Sequence, residues 1–264
     1  MTERVLPIKN GFNYRELGGY PTASGATVKY RKIIRSAGLN ELSAADQQYL
    51  YDYGVRVDMD FRSTEERSQQ PDKVPAGVDY QFNPVLAEDE TQNSKSAKEL
   101  QAMMREDPEN GYQHMLQVYR DMVQTTHAQD AYKQFFATLL ANDTPDQAVL
   151  FHCAAGKDRT GMGAYFFLSA LRVPDEVITQ DYLLTNETSK DRVAAVLADV
   201  RKNGGNSTMV RNIEALFTVN ADYLNTARHA IRNMSGDVQH YLRDVLTLSD
   251  GDIQDLRRLY LTTK

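Results

Sequence analysis

The stretch Ala148-Val149-Leu150-Phe151-His152-Cys153-Ala154-Ala155-Gly156-Lys157-Asp158-Arg159-Thr160-Gly161 decides how this chain folds. Ala148 to Phe151 is a short continuous apolar run. Such a run reads as a strand buried on both faces, as in a parallel sheet. From Thr160 to Arg172 the chain is apolar nearly all round, through Met162, Tyr165, Phe166, Phe167, Leu168 and Leu171. That pattern predicts a central helix, and Gly161 and Gly163 leave room for close backbone packing. Cys153 to Arg159 therefore lies in a loop between a buried strand and a buried helix. The first N–H groups of a helix have no partner within it. Together with the helix dipole they make an anion site, and Gly156 lets the chain curl into a nest of donors.

Working outward, Thr27 to Ile34 is β-prone, and Leu42 to Tyr53 reads as a helix with Ser43 as N-cap. Val55, Val57, Met59 and Phe61 alternate with Arg56, Asp58, Asp60 and Arg62, the period of a strand. Ser63-Thr64-Glu65-Glu66 resembles a helix start with acids in its first turn. Ala87 to Glu109 is polar and reads as a connection or a lid. Met115, Val118, Tyr119, Met122 and Val123 recur at helical spacing, as do Phe135, Phe136, Leu139 and Leu140. In the last third, Pro174 opens a helix. Ile213 through Ile231 lines one face of a long helix, Val238 to Leu246 another, and Ile253 to Leu259 a last one. Early strands and late helices point to one α/β domain with a helical C-terminal layer. We take 1–264 as that single domain, with 87–126 as a candidate lid or insertion.

The composition allows this. The 264 residues carry 41% hydrophobic and 25% charged side chains, ordinary values for a globular domain. No apolar run reaches the roughly 20 residues that span a bilayer. Met1-Thr2-Glu3-Arg4-Val5 lacks a signal-peptide core, so the chain reads as cytoplasmic unless a leader has been removed. A net charge of −6 argues against a nucleic-acid surface. It leaves room for a local anion pocket.

Cys153 is the single cysteine. A lone cysteine is usually an inert core residue, but the positive end of a helix favours thiolate over thiol, and the thiolate is the nucleophile. Arg159, at the far end of the loop, can fork onto two phosphate oxygens, a geometry lysine does not reproduce. Thr160 could donate its hydroxyl to the sulfur, or could simply cap the helix start.

The run His152-Cys153-Ala154-Ala155-Gly156-Lys157-Asp158-Arg159-Thr160-Gly161 resembles the signature loop of the protein tyrosine phosphatase superfamily. It is most similar to the bacterial branch acting on phosphotyrosine and often on phosphoserine, phosphothreonine or phosphoinositides. Asn13-Tyr14-Arg15-Glu16-Leu17-Gly18-Gly19, Ile34-Arg35-Ser36-Ala37, Asp60-Phe61-Arg62-Ser63 and Asp181-Tyr182-Leu183-Leu184-Thr185-Asn186 look like further blocks of that branch. The resemblance implies a central sheet, largely parallel around the loop and flanked by helices. It implies no metal and no cofactor. It implies that Cys153 attacks phosphorus and forms a phosphocysteine. Arg159 and the N–H groups of Ala154, Ala155, Gly156, Lys157, Asp158 and Arg159 would hold the phosphoryl oxygens, and His152 would orient the loop and help hold the sulfur as thiolate.

A general acid must protonate the leaving oxygen. With no tryptophan in the chain, the Trp-Pro-Asp loop of many such enzymes is absent in its usual form. Asp158 and Asp60 are the candidates, and the resemblance favours Asp158. Lys157 at the pocket rim suits substrates carrying several phosphates. The expected partner is a phosphorylated protein or a phosphoinositide, with no nucleic acid and no integral membrane segment. The alternative is a catalytically silent phosphate-binding module.

Overall fold

The computed structural model of the chain describes residues 4–88, 104 and 107–262. Its strands are β1 (Arg15–Glu16), β2 (Ile33–Ser36), β3 (Val55–Asp60), β4 (Asp79–Phe82) and β5 (Ala148–His152). They form one sheet in the order β1-β2-β5-β3-β4. β1 is antiparallel to β2, and the other pairings are parallel. β5 is the middle strand and is wholly buried. Its side chains alternate between two cores: Val149 and Phe151 face the larger, Ala148 and Leu150 the smaller. An apolar run without polar alternation is what a strand covered on both faces requires.

The smaller core is closed by α1 (Ala44–Tyr53) and the N-terminal segment, through Leu6, Tyr14, Leu42 and Leu50. Ser43 caps α1 in a reciprocal box with Asp46. After β3 comes the short α2 (Thr64–Gln69), capped by Ser63 in the same way with Glu66. The larger core takes α3 (Asn110–Gln124), α4 (Thr126–Ala141) and α5 (Arg159–Ala170). Every residue of α5 is buried, as its sequence predicts. Beyond it lie α6 (Asp175–Thr188), α7 (Lys190–Lys202), α8 (Ser207–Phe217), α9 (Ala221–Ser235), α10 (Val238–His240) with a π-helical turn at Tyr241–Val245, and α11 (Asp250–Tyr260). These form the helical C-terminal layer. Among the described residues no helix is long and apolar enough to cross a membrane.

Three expectations change. Of Thr27 to Ile34 only Ile33 and Ile34 join a strand, β2, while Thr27 and Val28 form isolated bridges. Arg31 takes a φ of +62°, which breaks the extended run before β2. The single helix expected across Ile213 to Ile231 is two, because Thr218 is extended and the Asn220 side chain starts a new cap by accepting from the Asp222 N–H at 3.0 Å. Within 87–126, α3 is a core helix that buries Met115, Val118, Tyr119, Met122 and Val123. Residues 89–103, which hold most of the polar stretch, lie outside the described residues.

Candidate active site

The loop leaves β5 at the carboxyl edge of the parallel strands, where open α/β sheets bind ligands. There Ser36 of β2, His152 of β5 and Asp60 of β3 lie side by side in register. Side chains and backbone from outside the loop hold its carbonyls. Asn13 Nδ2 donates to the Ala155 and Gly156 oxygens at 3.0 and 2.9 Å. Arg35 donates to the Gly156 oxygen at 2.8 Å, and the Gly38 N–H to that of Ala154 at 3.2 Å. Among the described residues no acceptor engages the N–H groups of Ala154 to Asp158. A loop whose oxygens are tied away and whose amides are uncommitted is set up to receive an anion.

Gly156 makes this curvature possible. Its φ is +67°, and a Cβ there would lie 2.3 Å from the Ser36 oxygen. Only glycine meets both conditions. Cys153 begins the loop with 1% of its surface exposed. Arg159, wholly buried, opens α5 and forks onto Glu66 of α2 at 2.5 and 2.7 Å. Glu66 also accepts from the Ser63 N–H at 2.8 Å. The same carboxylate thus caps one helix and aims the guanidinium.

Asp158 is buried between a cation and a phenol. Lys157 Nζ lies 2.8 and 2.7 Å from its two oxygens, and Tyr119 of α3 donates to Oδ1 at 2.9 Å. Tyr182 of α6 donates in turn to Tyr119 at 2.7 Å. Burial first, then the charge of Asp158, raises the Tyr119 hydroxyl well above its ordinary range, so it stays protonated. Lys157 is only 2% exposed and pairs with Asp158, although it also lines the cleft over the loop. Thr160 is buried, and its hydroxyl has no hydrogen-bond partner among the described residues.

His152 is caged. Its Nε2 lies 3.3 Å from Asp58, 3.3 Å from Asp72 and 3.8 Å from Asp60. Burial alone would lower its pKa, but the charges of Asp72, Asp60 and Asp58 outweigh that and raise it well above the usual value. Asp60 is fully occupied. It accepts from Arg62 Nε at 2.9 Å, Arg62 Nη2 at 2.8 Å, the Arg62 N–H at 2.9 Å and Tyr80 at 2.8 Å. Although burial raises its pKa, His152 and Arg62 bring it down to about 2. An acid so placed has no proton to give near neutral pH. Asp58, Asp72 and His152 are grouped closely enough for a metal ion. However, Arg62 already sits on Asp72, and the same carboxylates can surround a protonated imidazole.

A cleft of about 70 Å³ opens over the loop, between Phe12, Gln70, Ala154, Ala155, Lys157, Arg192 and Phe217. A sequence model described as the tyrosine phosphatase family matches residues 6–262. The chain belongs to the tyrosine phosphatase family. It is 32% identical over 252 residues to a Cupriavidus necator protein bearing a tyrosine-protein phosphatase name, covering 94% of this chain and 85% of that one. It is 28% identical to the triple specificity protein phosphatase PtpB of Mycobacterium tuberculosis, over 99% of this chain and 100% of that one. It is 31% identical over 167 residues to a tyrosine-protein phosphatase of Nostoc commune, over 62% and 52% of the two chains.

The four outlying sequence blocks of this phosphatase-family chain meet at the loop. Asn13 and Arg35 hold its oxygens. Asp181 accepts from Arg15 at 3.2 Å, Arg35 at 2.7 Å and Tyr20 at 3.0 Å, fixing the arginine that reaches Gly156. Asp60 and Arg62 stand behind His152. Sequence reasoning matched these blocks to a pattern without seeing what they do. Glu66, Asp58, Asp72 and Tyr119 carry no sequence signal of a role at the loop. Glu66 was visible as a helix-start acid, and Tyr119 as a core position. Nothing along the chain says that either one reaches the loop.

Proposed function

We propose that the chain hydrolyses phosphate monoesters, phosphotyrosine among them, through a phosphocysteine intermediate. The observation that carries this reading is the loop itself: uncommitted amides around Cys153, with Arg159 braced by Glu66 at its end. The Cys153 thiolate attacks phosphorus, the P–O bond to the leaving group breaks, and that oxygen takes a proton. Water then attacks phosphorus, the S–P bond breaks, and inorganic phosphate leaves with the thiolate restored. Arg159 and the loop amides stabilise the equatorial oxygens in both steps, and positioning and charge do most of the work.

On this reading Asp158 is the acid. Asp158 gives its proton to the leaving oxygen and takes one back from the attacking water. Phosphoserine, phosphothreonine and phosphoinositides are further candidate substrates. The name of the mycobacterial relative, with its triple specificity, makes a broad panel worthwhile.

The decisive experiment compares wild type with Cys153→Ser on p-nitrophenyl phosphate, then traps the intermediate by acid quench and ³¹P detection. Turnover in wild type alone, with phosphorus on sulfur, is expected. Phosphate binding without turnover would instead favour the silent binding module. A panel of phosphopeptides and phosphoinositides ranked by kcat/KM assigns the substrate class.

A further inference from the structure

We infer that Asp58 is a positioning residue for the nucleophile: its buried carboxylate keeps His152 doubly protonated directly behind Cys153. This rests on the proposed thiolate chemistry and adds a residue to it.

Asp58 is fully buried on β3, and neither of its oxygens has a hydrogen-bond partner. Other buried acids are well served. Asp181 has two arginines and a tyrosine; Glu66 has Arg159 and an N–H; Asp158 has Lys157 and Tyr119. Glu16 accepts from two N–H groups and from Tyr53. A buried carboxylate left without hydrogen bonds costs several kcal/mol. Burial, with Asp72 and Asp60 nearby, pushes the Asp58 pKa up, and the His152 ring at 3.3 Å is the neighbour that favours its charged form.

The ring geometry says which form of histidine stands there. Nδ1 lies 3.2 Å from the carbonyl oxygen of Cys153, which can only accept, so Nδ1 carries a hydrogen. Nε2 faces carboxylate oxygens of both Asp58 and Asp72 at 3.3 Å. A lone pair pointed at two anions would be repelled, so Nε2 carries a hydrogen too. The surrounding charges are allotted accordingly. Arg62 pairs with Asp60 and Asp72. Tyr14, packed from the N-terminal side, donates to the Gly38 oxygen at 3.1 Å and is kept neutral, by burial first. Ser36 of β2, beside His152 in register, is uncharged. Three carboxylates thus share two cations, and the cation that faces Asp58 is His152. An imidazolium on the residue next to the nucleophile lies well within the roughly 10 Å over which charges are felt, and it favours the sulfur anion.

Cys153 is the sole cysteine, so iodoacetamide reports on it alone, without needing turnover. In Asp58→Asn the pH of half-maximal alkylation should rise by about one unit. Below it the rate should be about tenfold under wild type, with the same plateau at high pH. An unchanged midpoint would overturn the inference, because a merely structural Asp58 would alter stability or plateau and leave the midpoint in place. Should the variant not fold, ¹⁵N-histidine NMR of wild type decides. Both His152 nitrogens should show imidazolium shifts at pH 7.5. A neutral ring, or one equivalent of bound metal in the purified protein, would overturn it. A chain that shows the shift but hydrolyses no phosphate ester keeps the Asp58 assignment and loses the phosphatase one.

Discussion

Glu66 and Arg159 meet as a bidentate ion pair at 2.5 and 2.7 Å, both residues buried, one on α2 and the other opening α5. The fork points the guanidinium along the loop before any substrate arrives. Glu66→Gln keeps the shape of the side chain but gives up the charge and one acceptor. We expect kcat/KM on p-nitrophenyl phosphate to fall by about 10- to 100-fold, the cost of a misplaced binding group. Vanadate affinity should fall in parallel. An unchanged vanadate Kd would mean that Arg159 needs no brace.

Gly156→Ala tests the loop's curvature. The new methyl would meet the backbone of Ser36 and Ala37, at a φ of +67° that alanine resists. Phosphate and vanadate binding should be lost, and the melting temperature should drop by several degrees. Retention of vanadate binding would show that the loop can take another shape.

Asp158→Asn separates leaving groups. A missing general acid costs about 10²- to 10⁴-fold where the leaving oxygen is basic. Phenyl phosphate turnover should therefore collapse, while an activated aryl phosphate loses far less. The alkaline limb of the pH–rate profile should vanish with it. If that limb persists, the acid lies elsewhere.

Lys157→Ala asks what the buried cation does. Since Lys157 contacts both Asp158 oxygens, the losses on phosphotyrosine and phosphoinositide substrates should be similar. A loss confined to phosphoinositides would make Lys157 a reader of second phosphates.

Acid stability should report Asp60 and Asp181. Burial would raise both pKa values, but His152 and Arg62 bring Asp60 down to about 2, and Arg15 and Arg35 lower Asp181. Their folded values lie below the unfolded value near 3.9, so their stabilisation is present above about pH 4. It fades as pH falls through the folded values. Asp60 alone contributes about 2 kcal/mol on this basis. Urea midpoints measured from pH 6 to pH 2.5 should fall steeply in wild type and less steeply in Asp60→Asn. Equal slopes would remove Asp60 from the account.

Much of this protein was legible along the chain because the signals are local. The Ala148–Phe151 run, the apolar helix after it, the Ser43 and Ser63 caps and the Cys153-to-Arg159 spacing each depend on residues a few positions apart. Strand pleat, helix period and capping act over that range. The alternation at Val55 to Phe61 marked a strand, but not the surroundings of its acidic side chains. Asp58 and Asp60 are buried, with His152 against both, Asp72 beside Asp58, and Arg62 and Tyr80 on Asp60.

What sequence alone determined is a strand–loop–helix with Cys153 at the start of the loop and Arg159 at its end. Only the tertiary structure decided which carboxylate serves which cation. Glu66 reaches Arg159 across 93 positions, Asp181 reaches Arg35 across 146, and Tyr119 reaches Asp158 across 39. Such pairings follow from how helices pack on the sheet, and charge carries no local periodicity that would announce its partner.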